Sequence, residues 1–96
     1  MMVLVTYDVD TTSEDGKKRL RKIAKHCVNY GQRVQNSVFE CLVEPQQFLV
    51  LRKKLEETIN KRTDSLRYYY LGSNWKKRVD HVGTKAGYDP EGILIT

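Results

Sequence analysis

The chain has 96 residues, 40% of them hydrophobic, and a formal net charge of +5 at pH 7. That length makes one domain, residues 1–96, with a small core that a second copy would help to stabilise. No stretch approaches the ~20 apolar residues of a membrane span, and the N-terminal apolar run is too short for a secretory leader. The two cysteines, Cys27 and Cys41, sit among apolar neighbours and read as small buried hydrophobes, so a cytoplasmic protein is expected.

The first element is a strand. Val3, Val5 and Tyr7 alternate with Leu4, Thr6 and Asp8, and the early part is apolar on both faces, as in a central strand. Thr12 is a candidate N-cap, with Asp15 three residues on. Leu20, Ile23, Ala24, Cys27 and Val28 then recur at helical spacing, and Gly31 is the expected C-cap.

"RVQNSVFECLV", Arg33 to Val43, is β-rich and long for one strand. Asn36 and Ser37 are its turn-compatible pair, so a bend or tight hairpin is expected there. Pro45 suits the first turn of a second helix, whose apolar stripe is Phe48, Leu51, Leu55 and Ile59. Ser65 to Gly72, "SLRYYYLG", reads as a strand, and Val79 to Val82 as a shorter one. The chain closes on Ile93, Leu94 and Ile95. The βαββαβ order predicts a ferredoxin-like α/β sandwich with both helices on one sheet face. Residues 79–96 then form a C-terminal extension placed to pack on a partner subunit's sheet edge.

Two features carry chemistry. "KKRLRKIAKH" holds Lys17, Lys18, Arg19, Arg21, Lys22 and Lys25 with no acid, and "WKKR" adds Lys76, Lys77 and Arg78 beside Trp75. A cationic helix face of this kind is the footprint of phosphate-backbone contact, or simply a solvated surface. Asp8 ends a central strand, where α/β sheets open to ligands, and its oxygens suit Mg²⁺ or Mn²⁺. Spacing alone favours Asp8 as the start of a turn into Val9, Asp10 and Thr11. One carboxylate per chain is a poor metal site, and a two-fold dimer with strand 1 near its axis would supply two. The tyrosines Tyr68, Tyr69 and Tyr70 offer stacking groups for RNA bases, although the Gly-aromatic pattern of RNA-recognition sheets is absent.

"VLVTYDV", "RLRKIAKHCVNYGQRVQNSVFEC" and "SLRYYYLG" together resemble the small CRISPR-associated endonuclease family, the smaller of the two proteins of CRISPR spacer acquisition. The Tyr-Asp that ends strand 1 and the R-V-Q-x-S-V-F-E run are its specific parts. The resemblance implies a symmetric homodimer and Mg²⁺-dependent cleavage of single-stranded RNA or double-stranded DNA. It equally implies a DNA-binding scaffold for the larger CRISPR integrase protein. By position it puts the metal carboxylate on Asp8 beside Tyr7, and further site residues on Arg19, Arg33, Ser37 and Phe39. Some members carry an arginine where this chain has Lys17, which keeps the charge without a bidentate fork.

Overall fold

β1 (Met2–Asp8) is the strand around which the other elements assemble. In the computed structural model, which describes residues 1–83, it is followed by α1 (Glu14–Val28), β2 (Gly31–Gln35) and β3 (Val38–Leu42). α2 (Pro45–Thr58), β4 (Ser65–Gly72) and a short 3-10 turn at Trp75–Lys77 complete the order. The sheet runs β2-β3-β1-β4 with every neighbouring pair antiparallel. This is the ferredoxin-like arrangement that the βαββαβ order predicts. β1 pairs on both sides, with β3 and with β4, which explains its apolar residues on both faces.

The pleat separates those faces. Val3, Val5 and Tyr7 of β1, with Phe39 and Cys41 of β3, join Ile23 and Cys27 of α1 and Phe48, Leu51 and Leu55 of α2 in one buried cluster. Both helices therefore cover the same sheet face. Each fully buried Ile, Leu or Phe in it contributes about 1.5–3 kcal/mol through removal from water. Burial pushes the thiols of Cys27 and Cys41 up to about 12, so both act as apolar filler. On the opposite face Leu4, Thr6, Val38 and Leu42 are half-buried, and Arg67 and Tyr69 are exposed.

Several local details depart from expectation. The N-cap of α1 is Ser13, whose Oγ accepts the Gly16 N–H at 3.1 Å. Thr12 instead donates its hydroxyl to Asp10 Oδ1 at 2.7 Å. Asn29 caps the C-terminus of α1, and Gly31 opens β2, where a Cβ would collide with the Glu40 carbonyl and lie 2.7 Å from Cys41 Cα. Val28, the last residue of α1, is 61% exposed, so the buried stripe stops at Cys27. The turn at Asn36 and Ser37 is present, with β2 and β3 as a hairpin. Pro45 opens α2, where the Glu44 N–H donates to Gln47 Oε1 at 2.8 Å.

Val79 to Val82, expected as a strand, is not one, and among the described residues no segment pairs with it. Residues 93–95 and most of the expected C-terminal extension lie outside the described residues. No described helix is long and apolar enough to cross a membrane.

One polar cluster ties β1, α1 and β4 together. The Asp64 side chain is fully buried just before β4, and Arg19 Nε donates to its Oδ2 at 2.8 Å. The Asn60 and Asp10 amides donate at 2.9 and 3.1 Å, and the Thr63 hydroxyl at 3.0 Å. Burial pushes the Asp64 carboxyl up, but these hydrogen bonds outweigh it and hold the group at about 2. Its stabilisation is complete above the ordinary carboxylate value of 3.8 and is lost as pH falls through about 2. Wild type should therefore lose about 1–2 kcal/mol of stability between about pH 4 and pH 2 that Asp64→Asn does not lose. Chemical denaturation at stepped pH measures the difference.

Gly16, in the first turn of α1, packs against the Asp10 backbone. A Cβ there would collide with the Asp10 carbonyl oxygen and lie 3.0 Å from its carbon. Alanine gains up to about 1 kcal/mol of helix propensity, but overpacking against rigid backbone costs about 1–3 kcal/mol or more. Gly16→Ala should lower the melting temperature; a rise would show that the loop at residues 9–12 yields.

Candidate active site at the end of strand β1

The last residue of β1 is Asp8, exposed, on the sheet face away from the helices. It stands opposite Ser65 of β4, and Thr6 stands between Arg67 of β4 and Val38 of β3. The Tyr7 N–H donates to the Ser37 carbonyl at 3.1 Å, which draws the β2–β3 turn up to the same strand end. An open cleft of about 380 Å³ results, lined by Thr6, Asp8, Ser37, Ser65, Arg67 and Tyr69 among others. Among the described residues the Asp8 carboxylate has no hydrogen-bond or ion-pair partner. By contrast, Asp10 accepts from the Thr12 amide and hydroxyl, and Asp64 from Arg19 and the Asp10 amide.

The remaining residues implied by the family resemblance fall on other sides of the strand. Tyr7 and Phe39 point to the helix side, with ring centroids 6.2 Å apart, and the Arg33 guanidinium lies 5.2 Å from the Phe39 centroid. The Tyr7 hydroxyl donates to the Asn36 carbonyl at 3.3 Å. Burial raises the Tyr7 phenol above its ordinary pKa, with the nearby Arg33 charge offsetting part of the effect. Tyr7 is therefore a neutral phenol at physiological pH. Arg19 sits on α1 and is engaged by Asp64. The structure thus brings Tyr7, Asp8 and Ser37 to one cleft, with the Tyr7 ring turned to the helix side where Phe39 and Arg33 lie.

Ser65 and Arg67 line the cleft without having been singled out from the sequence, and Tyr69, read there as a stacking group, lines it too. Their signal was the alternation of "SLRYYYLG": Ser65, Arg67 and Tyr69 share one face, opposite Asp8, Thr6 and Leu4. The same alternation divides the tyrosines. Tyr68 and Tyr70 turn to the helix side and meet Phe48 edge-on, at 5.4 and 5.6 Å. The three rings therefore present no common stacking face.

The basic residues form a separate surface. Lys18, Arg19 and Lys22 border a concavity between α1 and α2 that Asp15, Glu57 and Thr58 also line. The acids absent from the basic run are thus supplied by the preceding turn and by α2. Lys17 pairs with Glu14 at 3.3 Å, while Arg21 and Lys25 are exposed. Beyond β4, Lys76 lies 5.8 Å from the Trp75 ring centroid, Lys77 is exposed, and Arg78 Nη1 donates to the Leu71 carbonyl at 3.2 Å. Among the described residues no three or more His, Cys, Asp or Glu side chains gather as a metal cluster.

Comparison with known proteins agrees with this fold. The family model described as CRISPR associated protein Cas2 matches residues 1–79. The CRISPR-associated endoribonuclease Cas2 of Chlorobaculum tepidum is 59% identical over 95 residues, covering 99% of each chain. The CRISPR-associated endonuclease Cas2 of Halalkalibacterium halodurans is 56% identical over the same length and coverage. The crystal structure of Streptococcus pyogenes Cas2 at pH 6.5 superposes with a TM-score of 0.76 at 58% identity, covering 86% of this chain and 100% of that one. A ferredoxin-like sheet, a family model over residues 1–79 and relatives so named that match nearly the whole chain place this chain in the CRISPR-associated Cas2 family.

Proposed function

We propose that this chain is a divalent-metal-dependent endonuclease of CRISPR spacer acquisition, working as a homodimer on double-stranded DNA or single-stranded RNA. One observation carries the reading. Asp8 is an exposed, unpartnered carboxylate in a cleft at the end of the central strand. A solvated carboxylate with no structural employment is free to bind a cation. The names of the relatives, endoribonuclease and endonuclease, support the reaction class.

The donors fit a hard cation. Mg²⁺ takes one or two carboxylates and fills its shell with water and substrate phosphate, and Mn²⁺ takes the same ligands. Asp8 of each protomer would hold it, with the Ser37 and Ser65 hydroxyls within the same cleft. When bound, the metal supplies the Lewis acid that phosphodiester hydrolysis uses. The chain's own residues do the positioning. The Tyr7–Phe39–Arg33 stack fixes β1 from behind, and Arg19, through Asp64, fixes the loop that follows Asp8. Purified Asp8→Asn should lose Mg²⁺-dependent cleavage by about 100-fold or more while keeping the wild-type melting temperature. Equal rates in the two proteins would sink the reading.

A second reading is compatible with the first. Exposed Lys18, Lys22, Lys77 and their neighbours would hold duplex DNA for the larger CRISPR integrase protein, with residues 79–96 packing on the partner subunit. The basic concavity between the helices favours it. Phosphate contacts release counterions, so affinity falls steeply with salt. Replacing Lys18 and Lys22 by Glu should weaken duplex binding and flatten the log Kd against log salt slope by roughly one for each phosphate no longer neutralised. An unchanged slope would remove α1 from the DNA surface.

A further inference from the structure

Asp8 alone repels a phosphodiester, so a cleft that cuts one also needs a cation at the phosphate. Arg19 and Arg33, the arginines that the family resemblance brings forward, are both committed elsewhere. Arg19 is held by the buried Asp64 carboxylate, and Arg33 lies over Phe39 on the helix side of the sheet. Among the described residues, Arg67 is the one Lys or Arg that lines the Asp8 cleft.

Its placement follows from strand register. Thr6 stands opposite Arg67 and Asp8 opposite Ser65, so Asp8 and Arg67 are diagonal neighbours on one sheet face. Diagonal neighbours of this kind sit about 7–8 Å apart at the backbone. Arg67 Nη1 donates to the Tyr69 hydroxyl at 3.4 Å, two residues further along the same face. That interaction steadies the exposed guanidinium without neutralising it. The ion pairs of the described residues join Lys17 to Glu14, Arg19 to Asp64 and Arg52 to Glu56, and leave Arg67 out.

We infer that Arg67 is a catalytic residue that binds the scissile phosphate beside Asp8, braced by Tyr69. The role presumes the endonuclease reading above. A guanidinium meets phosphate oxygens through two parallel N–H donors at about 2.7–2.9 Å, a geometry that lysine cannot reproduce. In this role one phosphodiester lies between the guanidinium and the carboxylate in their shared cleft, with the cation on its Asp8 side. Charge that develops on the non-bridging oxygens then meets a fixed donor. Such an interaction acts chiefly in the transition state, so removing it lowers kcat rather than raising KM.

The test compares wild type, Asp8→Asn, Arg67→Gln, Arg67→Lys and Lys53→Ala in steady-state Mg²⁺-dependent cleavage of a defined single-stranded RNA and a duplex DNA. Arg67→Gln should lower kcat by about 100-fold with KM within threefold, and Arg67→Lys should recover only part of the loss. Lys53→Ala, which removes an exposed α2 cation of equal charge, should match wild type. Melting temperature and oligomeric state are recorded for each variant. Should Arg67→Gln misassemble, Arg67→Lys carries the test, because it keeps the charge and loses the fork. Asp8-dependent cleavage that both Arg67 variants leave within threefold of wild type overturns the Arg67 role alone. Cleavage that does not depend on Asp8 overturns the endonuclease reading and the role with it.

Discussion

The buried carboxylate of Asp64 is the joint on which the site end of the molecule depends. It receives Arg19 from α1, the Asp10 amide from the loop after β1, and the Asn60 amide from the turn after α2. A side chain removed from water in this way costs several kcal/mol unless its oxygens are filled, and here three segments fill them. Breaking one partner would leave an uncompensated buried charge. The chain between Asp8 and α1 therefore has one stable course, and Gly16 keeps it tight by admitting the Asp10 backbone where a side chain would not fit.

Given that joint, the strand pleat does the rest. Tyr7 and Asp8 are adjacent in sequence and opposite in environment. Tyr7 goes into the core against Phe39, and its phenol stays neutral; Asp8 goes to the open face and remains solvated. The same pleat assigns cations to tasks. Arg33 packs on an aromatic ring, Arg19 satisfies a buried carboxylate, and Arg67, outside the ion pairs of the described residues, donates to the Tyr69 hydroxyl on the face with Asp8. Three arginines of one small domain thus have three distinct employments: packing, structural pairing and solvent-facing charge. Net charge alone does not separate them.

The elements that sequence reasoning located best were those with a strong period. The stripe Leu20, Ile23, Ala24, Cys27 defined α1, the doubly apolar β1 defined the central strand, and Pro45 opened α2. Element ends were legible to within a residue or two, since neighbouring polar residues compete for a cap. Ser13 wins over Thr12 because Asp10 engages the Thr12 hydroxyl. Gly31 looked like a helix stop and is a packing glycine, because its constraint comes from β3, ten residues away in sequence. Val79 to Val82 has β-forming residues but finds no ladder among the described residues.

What the sequence by itself determined is the βαββαβ order, the burial of both cysteines, Asp8 at a strand end and the family to which the chain belongs. These follow from local periodicity and short motifs, which need no knowledge of what lies across the fold. What only the tertiary structure decided is which charged groups are spent. Asp64 drew no attention in the sequence, and Arg19 looked like one cation of a basic run; their pairing spans 45 residues. Arg67 joined Asp8 only through the register of β4 on β1. Ion pairing and cross-strand neighbourhood are properties of distance in space, and a linear pattern carries no record of them.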